Sequence, residues 1–392
     1  MGLDLHTAEA IPERARQEVE AALQSGDLFR YHSKNAPVTL LEQEFADMMG
    51  SRFALAVASC SAALFLSLRA LDLPKGAKVL IPGFTFAAVP SAVVHAECTP
   101  VLVEVGENYR MDMRDFEEKL NDDIAAVIVS HMRGHTSDMT RIMELADAKG
   151  IPVIEDAAHS LGTLWDGKKI GTMGKIGCFS FQSYKLLNAG EGGILITNDE
   201  DIIARTIIMS GAYETNWQKH GMKTDAFGKY QNQLPLYNTR LSNLSAILVR
   251  AQLPEVARRA ADGLRNHDAL AAQISTHAAI DVPPPLPLEH RAPDSIQFNL
   301  VGLSDDQAKA FMDACNAAGL GLSIFGMHAG NARAFWNWEF LPTKQELPQT
   351  RSMLMRACDV RLPARLSLED VVEIGNLVLT AADSITQAVA AE

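Results

Sequence analysis

Asp156 and Lys185 are the residues in this chain whose types and spacing suggest chemistry most directly. Asp156 ends the apolar run VIED, and Lys185 follows about thirty residues later in FSFQSYKLLNAGEGG. In open α/β sheets ligands gather beyond the C-terminal ends of the strands, so a carboxylate that ends one strand and a lysine in a loop after a later one can converge on one pocket. A lysine that is desolvated, or set beside other positive charge, condenses with carbonyl compounds to form a Schiff base. Chosen blind, one Asp and one Lys are far more often a helix cap and a solvated loop residue. The surrounding residues therefore decide how much weight the pair carries.

The elements that must position them are readable. From Ser59 to about Asp199, short apolar runs bounded by Gly and Pro alternate with helical patterns, which predicts a βα-type sheet with helices on both faces. The clearest strands are Val79 to Ile81, Val101 to Val105, Ala125 to Val129, Ile151 to Ile154, Cys178 to Phe181 and Gly193 to Thr197. A helix from Asp138 to Lys149 carries Met139, Ile142, Met143 and Ala146 on one face, starts at the cap candidate Asp138 and stops at Gly150 and Pro152. A long helical pattern from Leu244 to Leu270 should kink or break at Pro254, and the Pro-rich Val282 to Pro287 follows. A strand at Ile296 to Val301, a helix from Asp305 to Ala318 and a final helix from Leu368 to Ala382, capped by Ser367, complete a small α/β unit. The expected organisation is a larger domain over residues 1–250, with an N-terminal helical segment, and a smaller one over 251–392.

Composition narrows the partners. The 392 residues are 47% hydrophobic and 21% charged, as in a globular enzyme with a substantial core. A formal net charge of -13 works against binding a phosphate backbone, so nucleic acid is not expected. Cys60, Cys98, Cys178, Cys315 and Cys358 are odd in number, widely spaced and free of any CxxC pair, which suggests neither disulfides nor zinc. The acidic start and the lack of a long apolar run argue against a signal peptide or a membrane span, and a cytoplasmic location is expected.

A Schiff-base lysine together with a carboxylate able to hold a pyridine nitrogen protonated meets the needs of pyridoxal 5′-phosphate (PLP), which acts as an electron sink. The wider sequence resembles the DegT-type family of fold-type I PLP enzymes, mostly aminotransferases of keto sugars. The likeness runs through Val38, Leu41, Glu42 and Phe45, then SCSAAL at Ser59 to Leu64, PGFTF at Pro82 to Phe86 and HMRGHTSDM at His131 to Met139. It continues through EDAAHSLG, the FSFQSYK…GEGG lysine segment and YNTRLSNLSA at Tyr237 to Ala246. Seven blocks in order are specific where any one alone is weak. The resemblance implies that Lys185 is the Schiff-base lysine and Asp156 the partner of the pyridine nitrogen. It places His159 beside the cofactor's phenolic oxygen and Phe86 on its ring. Ser61 and Ala62, opening a helix, and Ser180 become phosphate donors. Asn238, with Arg240 nearby, is placed to reach the phosphate of a neighbouring subunit, which implies a homodimer with shared active sites. The family usually carries Gly where Cys60 stands.

The expected reaction is transamination, with Lys185 as general base and acid and glutamate or glutamine as the donor implied by the resemblance. Two rivals stand beside it. One is a PLP-dependent sugar dehydratase, in which a histidine often replaces the lysine; the other is a PLP-binding regulatory protein without turnover. The acceptor is expected to be a small carbonyl compound without a nucleotide, because the segment from Ser323 to Leu341 is rich in aromatics (Phe325, Phe335, Trp336, Trp338, Phe340) and poor in cations. Arg30, Lys34 and Arg333 are the candidates to clamp a phosphate.

Overall fold

The computed structural model describes residues 3–222 and 224–391. Two helices lead in, α1 (Glu13–Ser25) and α2 (Pro37–Met49). Strands β1 (Phe53–Val57), β2 (Lys78–Pro82), β3 (Thr99–Val103), β4 (Ile124–Ser130) and β5 (Val153–Asp156) follow, with helix α3 (Cys60–Ala70) between the first two. The short β6 (Leu164–Trp165) and β7 (Lys168–Lys169) precede β8 (Ile176–Ser180) and β9 (Gly193–Thr197). The C-terminal part adds β10 (Ile280–Asp281), β11 (Glu289–His290), β12 (Ser295–Leu300), β13 (Ser323–Ile324) and β14 (Ala357–Arg361).

The main sheet has seven strands in the order β1-β9-β8-β5-β4-β2-β3. The run from β3 to β8 is parallel, while β9 is antiparallel to both its neighbours, so the sheet is mixed but mostly parallel. This is the α/β architecture expected of the fold-type I class. Its strands read as near-continuous apolar runs because helices cover both faces. Accordingly β1 and β9 are buried at every residue. The six expected strands all form, with ends displaced by a few residues. β1 was not among them: FALAV is a short apolar run that periodicity cannot separate from a buried helix turn, and its pairing with β9 is what makes it a strand.

Local signals hold where a side chain closes a helix end. Asp138 accepts from the Arg141 amide at 3.0 Å and starts the helix Met139–Ala148. At Pro254 the long helical pattern does break, into Asn243–Gln252, a single 3₁₀ turn and Val256–Ile274. Ser304 forms a reciprocal capping box with Gln307 on Asp305–Ala317, and Ser367 accepts from Asp370 N at 3.1 Å at the start of Leu368–Ala391. A second, antiparallel sheet in the order β10-β12-β14-β13 packs against these helices. It is tied to the loop after β4 through Asp359 on β14, which pairs with Arg133, while Glu289 on β11, in a small third sheet ordered β11-β6-β7, pairs with Arg110 and accepts from the Thr136 amide at 2.6 Å.

Candidate active site

Strand register supplies the floor of the site. Ser130 at the end of β4 lies level with Asp156 at the end of β5, and Asp156 level with Cys178 on β8. Asp156 is 7% exposed and fully hydrogen-bonded. One carboxylate oxygen accepts from Ser130 Oγ at 2.9 Å, and Ser130 in turn accepts from Thr85 Oγ1 at 2.8 Å. The other accepts from the Ala158 amide at 3.2 Å and faces Cys60 Sγ at 3.8 Å. A carboxylate held by donors on both oxygens stays where the strands put it.

Helix α3 begins at the rim of this floor. Ser59 is extended and its hydroxyl accepts from the Ala62 amide at 3.1 Å, so Cys60 is the first helical residue and glycine is not needed there. The close approach is made instead by Gly193, where an added Cβ would sit 2.4 Å from the Cys60 nitrogen. With Ala62 N–H committed to the cap, the free donors at this helix start are those of Cys60 and Ser61. Ser61 and Ser180 line the cavity; Ala62 does not.

The cavity is about 540 Å³ and brings together Ser61, Phe86, Asp156, His159, Ser180 and Lys185. Phe86 opens its ring to it, at 45% exposure although most aromatics of the chain are buried. Lys185 Nζ lies 2.7 Å from His159 Nε2 and 3.2 Å from Nδ1. Burial brings the Lys185 amine down to about 8, although Asp294 pulls the other way. Burial, and then the charge of Lys185, push His159 down to about 3, so it is a neutral acceptor beside the amine at physiological pH. Asp294 lies 3.9 Å from His159 Nδ1; burial alone would raise its carboxyl, but His159, Arg133 and Lys185 hold it below the usual carboxylate range. Asn238 is exposed and does not line the cavity of its own chain.

Three arginines complete the wall. Arg133 follows β4 with a left-handed backbone (φ 55°), an uncommon and strained conformation for a residue with a side chain. Its Nη2 pairs with Asp359 at 2.5 Å. Arg361 ends β14 and stacks over the Tyr184 ring at 4.4 Å. Arg333 lies over Phe86, 5.6 Å from the ring centroid. These contacts correct the sequence reading of the C-terminal segment. Phe325, Phe335 and Trp338 are buried core, so the aromatics there carry no message about substrate, and the cavity is rich in cations rather than poor. Arg30 is buried in an ion pair with Glu42, and Lys34 is exposed and lines no part of the cavity, so neither is placed to clamp a phosphate here. Sequence reasoning had named Arg333 but missed Arg133, Arg361 and Asp294. Arg133 stood inside the quoted HMRGHTSDM block; Arg361 and Asp294 had no local signal.

A family model for the DegT/DnrJ/EryC1/StrS aminotransferase family matches residues 9–379. The chain belongs to this family. Among the curated members it resembles, the spore coat polysaccharide biosynthesis protein SpsC of Bacillus subtilis is 33% identical over 66% of this chain and 65% of its own length. UDP-N-acetyl-3-dehydro-alpha-D-glucosamine 3-aminotransferase of Acidithiobacillus ferrooxidans is 35% identical over 58% of this chain and 60% of its own. The chain thus matches about two thirds or less of these relatives' length. In fold it is similar to a putative sugar aminotransferase from Streptococcus pneumoniae in its PLP form, with a TM-score of 0.84 at 19% identity, over 98% of this chain and all (100%) of that one. No helix among the described residues is long and apolar enough to cross a membrane, and none of their His, Cys, Asp or Glu side chains cluster as a metal site would require.

Proposed function

We propose that this family member is a PLP-dependent aminotransferase that moves an amino group from an amino-acid donor, glutamate or glutamine, to a keto sugar or similar carbonyl compound. The observation that carries the reading is the buried Lys185 amine, set 2.7 Å from a neutral His159 in a cavity whose floor is Asp156. Names of the relatives support the acceptor class, since one of them aminates a dehydro sugar.

The donor set fits the cofactor. Asp156 offers a buried carboxylate to a pyridine nitrogen, the start of α3 with Ser61 and Ser180 offers amide and hydroxyl donors to a phosphate, and Phe86 presents an open aromatic face. When bound, PLP supplies a protonated ring that takes up the electron pair of a breaking C–H bond. Lys185 Nζ is the base that receives the proton from the substrate's Cα and later returns it, and an amine titrating at about 8 is neutral often enough to do so near pH 7. His159 orients that amine by accepting its hydrogen bond. Retention of the lysine favours transamination over the dehydratase reading.

The active form is read as a homodimer, with Asn238 serving the partner's cavity, and the buried free cysteines suit a reducing cytoplasm. Purified holo-protein should be yellow, and borohydride should fix the cofactor to the Lys185 peptide alone. Glutamate or glutamine should convert the cofactor to its aminated form in a single half-reaction. An adduct on another lysine, or no conversion with any amino acid, refutes the reading.

A further inference from the structure

Resting on the aminotransferase reading, we propose that Arg333 and Arg361, steadied by Arg133, form an anion clamp that recognises a carboxylate or phosphate monoester carried by the carbonyl acceptor itself. All three line the cavity that holds Lys185, yet they come from three separate elements. Arg133 is already engaged: its partner Asp359 also accepts from Gln297 at 2.8 Å. Arg333 and Arg361 make no ion pair among the described residues. The side chain of Arg333 has no hydrogen-bond partner there, and its Nε is buried without one. Arg361 has a single long bond, 3.5 Å, to the Tyr184 carbonyl. Of the acids that act on them, Asp359 is engaged by Arg133, and Asp294, 3.9 Å from the neutral His159, shares its charge with Arg133 and Lys185 as well.

Withdrawing a guanidinium from water without a counter-charge is unfavourable, and a buried polar group left unpartnered calls for an explanation. Arg333, with its buried unpartnered Nε, and the half-buried Arg361, with one long bond, face one cavity in a chain with a formal charge of -13, and an anion that arrives with the substrate explains both. The planar fork of arginine matches carboxylate and phosphate oxygens in pairs, and a phosphate monoester carries close to two negative charges, equal to the two open guanidiniums. A donor's single α-carboxylate needs only one such fork, so the pair exceeds what the donor requires. Placement in the same cavity as Lys185 favours an anion only a few bonds from the reacting carbonyl over a nucleotide reaching outwards.

The test uses the holoenzyme and its Arg333→Gln, Arg361→Gln and Arg361→Lys variants. The aminated cofactor is prepared by the donor half-reaction, then titrated with one keto sugar as the free sugar, its phosphate monoester, a carboxylate-bearing analogue and a nucleotide-linked form. The anionic small acceptors are expected to lose about 10- to 100-fold in affinity in the Gln variants, through KM rather than kcat, with Arg361→Lys recovering part. The free sugar should lose far less than the anionic acceptors do. Equal losses for neutral and anionic acceptors, losses confined to the donor half-reaction, or a nucleotide-linked acceptor that is best and unaffected would overturn the proposal. Calorimetry with inorganic phosphate gives an arm independent of turnover. Saturable binding weakened at least 10-fold in the Gln variants supports the clamp even where no amino donor reacts, a result that would count against the aminotransferase reading alone; binding unchanged in the variants overturns the clamp.

Discussion

Arg30 is fully buried and the pair Arg333 and Arg361 half-buried, and their charges are met on opposite terms. Arg30 is 1% exposed and places both terminal nitrogens on Glu42, at 2.9 and 3.0 Å. His220 closes the cluster at 3.0 Å from each partner, and Glu42 also accepts from the Ala56 amide of β1 at 2.9 Å. Burial opposes the Glu42 charge, but Arg30 and His220 bring its carboxyl down to about 2. Apart from Arg30 Nε, which like that of Arg333 is buried without a partner, the charge is met inside the chain by Glu42, so the cluster is architecture, fastening α2 to the main sheet. Arg333 has no such partner, and burial brings it down to about 10. A buried charge satisfied by the fold holds the fold together; one left open is kept for something that binds.

The sharpest way to test this division is to remove a group assigned wholly to chemistry. Lys185→Ala should lower the single-turnover rate with an amino donor by about 10⁴-fold, while the thermal midpoint stays near that of the parent. Stopped-flow absorbance of the cofactor reads the rate. A variant retaining a tenth of the rate would remove Lys185 from the mechanism.

Next in size is the opposite case, a group assigned wholly to structure. Arg30→Met leaves the Glu42 carboxylate buried without its countercharge, and loss of one partner of such a pair destabilises by about 3–5 kcal/mol. Urea unfolding should show that loss, with little effect on the half-reaction of the fraction still folded. A midpoint equal to the parent's would mean that the cluster is not what fastens α2.

The two regions also differ in how legible they were. Glu42 lay in a family block and Asp156 and Lys185 in two others, each within one stretch of chain that forms a single helix, strand or turn, so their neighbourhoods could be read from order and spacing. Asp138, Ser304 and Ser367 cap helices through residues three positions away, an interaction local enough to be written in the sequence. The arginine wall is different. Arg133, Arg333 and Arg361 meet because Asp359 on β14 ties the second sheet to the loop after β4, and because Ala334, next to Arg333, bridges to Phe84. Those are long-range pairings with no periodic trace, and the same holds for β1, which is a strand only by virtue of β9.

Asp156→Asn probes the floor of the site. The amide keeps the shape and part of the hydrogen bonding to Ser130, but it cannot hold a neighbouring nitrogen protonated as a carboxylate does. Turnover should fall by about 100-fold with folding intact, and the cofactor's absorbance should shift. Turnover within threefold of the parent would place the essential carboxylate elsewhere.

The pH response sharpens the burial argument for Lys185. Only the neutral amine attacks a carbonyl, so the rate at which cofactor-free protein takes up PLP should rise with pH until the amine is deprotonated. With burial bringing that amine to about 8, the rate should climb by about tenfold per pH unit below pH 7 and level off above pH 8 to 9. A rate that goes on climbing past pH 10 would mean an amine in its ordinary, solvated range.

The smallest expected effect is the most discriminating for the comparison. If Arg333 is an open charge held for a ligand, replacing it with methionine removes a partly desolvated guanidinium that no carboxylate pairs with directly, along with its stacking on Phe86 and Phe325. The first change stabilises the free protein, and the second destabilises it by about 0.5–1 kcal/mol. Arg333→Met should therefore unfold in urea at the parent's midpoint or slightly above it, by no more than about 1 kcal/mol, in contrast to the loss expected of Arg30→Met. Added inorganic phosphate should raise the midpoint of the parent and leave that of Arg333→Met nearly unmoved, because only a protein that binds the anion in its folded form is stabilised by it. A loss as large as that of Arg30→Met, in the absence of phosphate, would show that Arg333 is also architecture and that the two regions are not opposites.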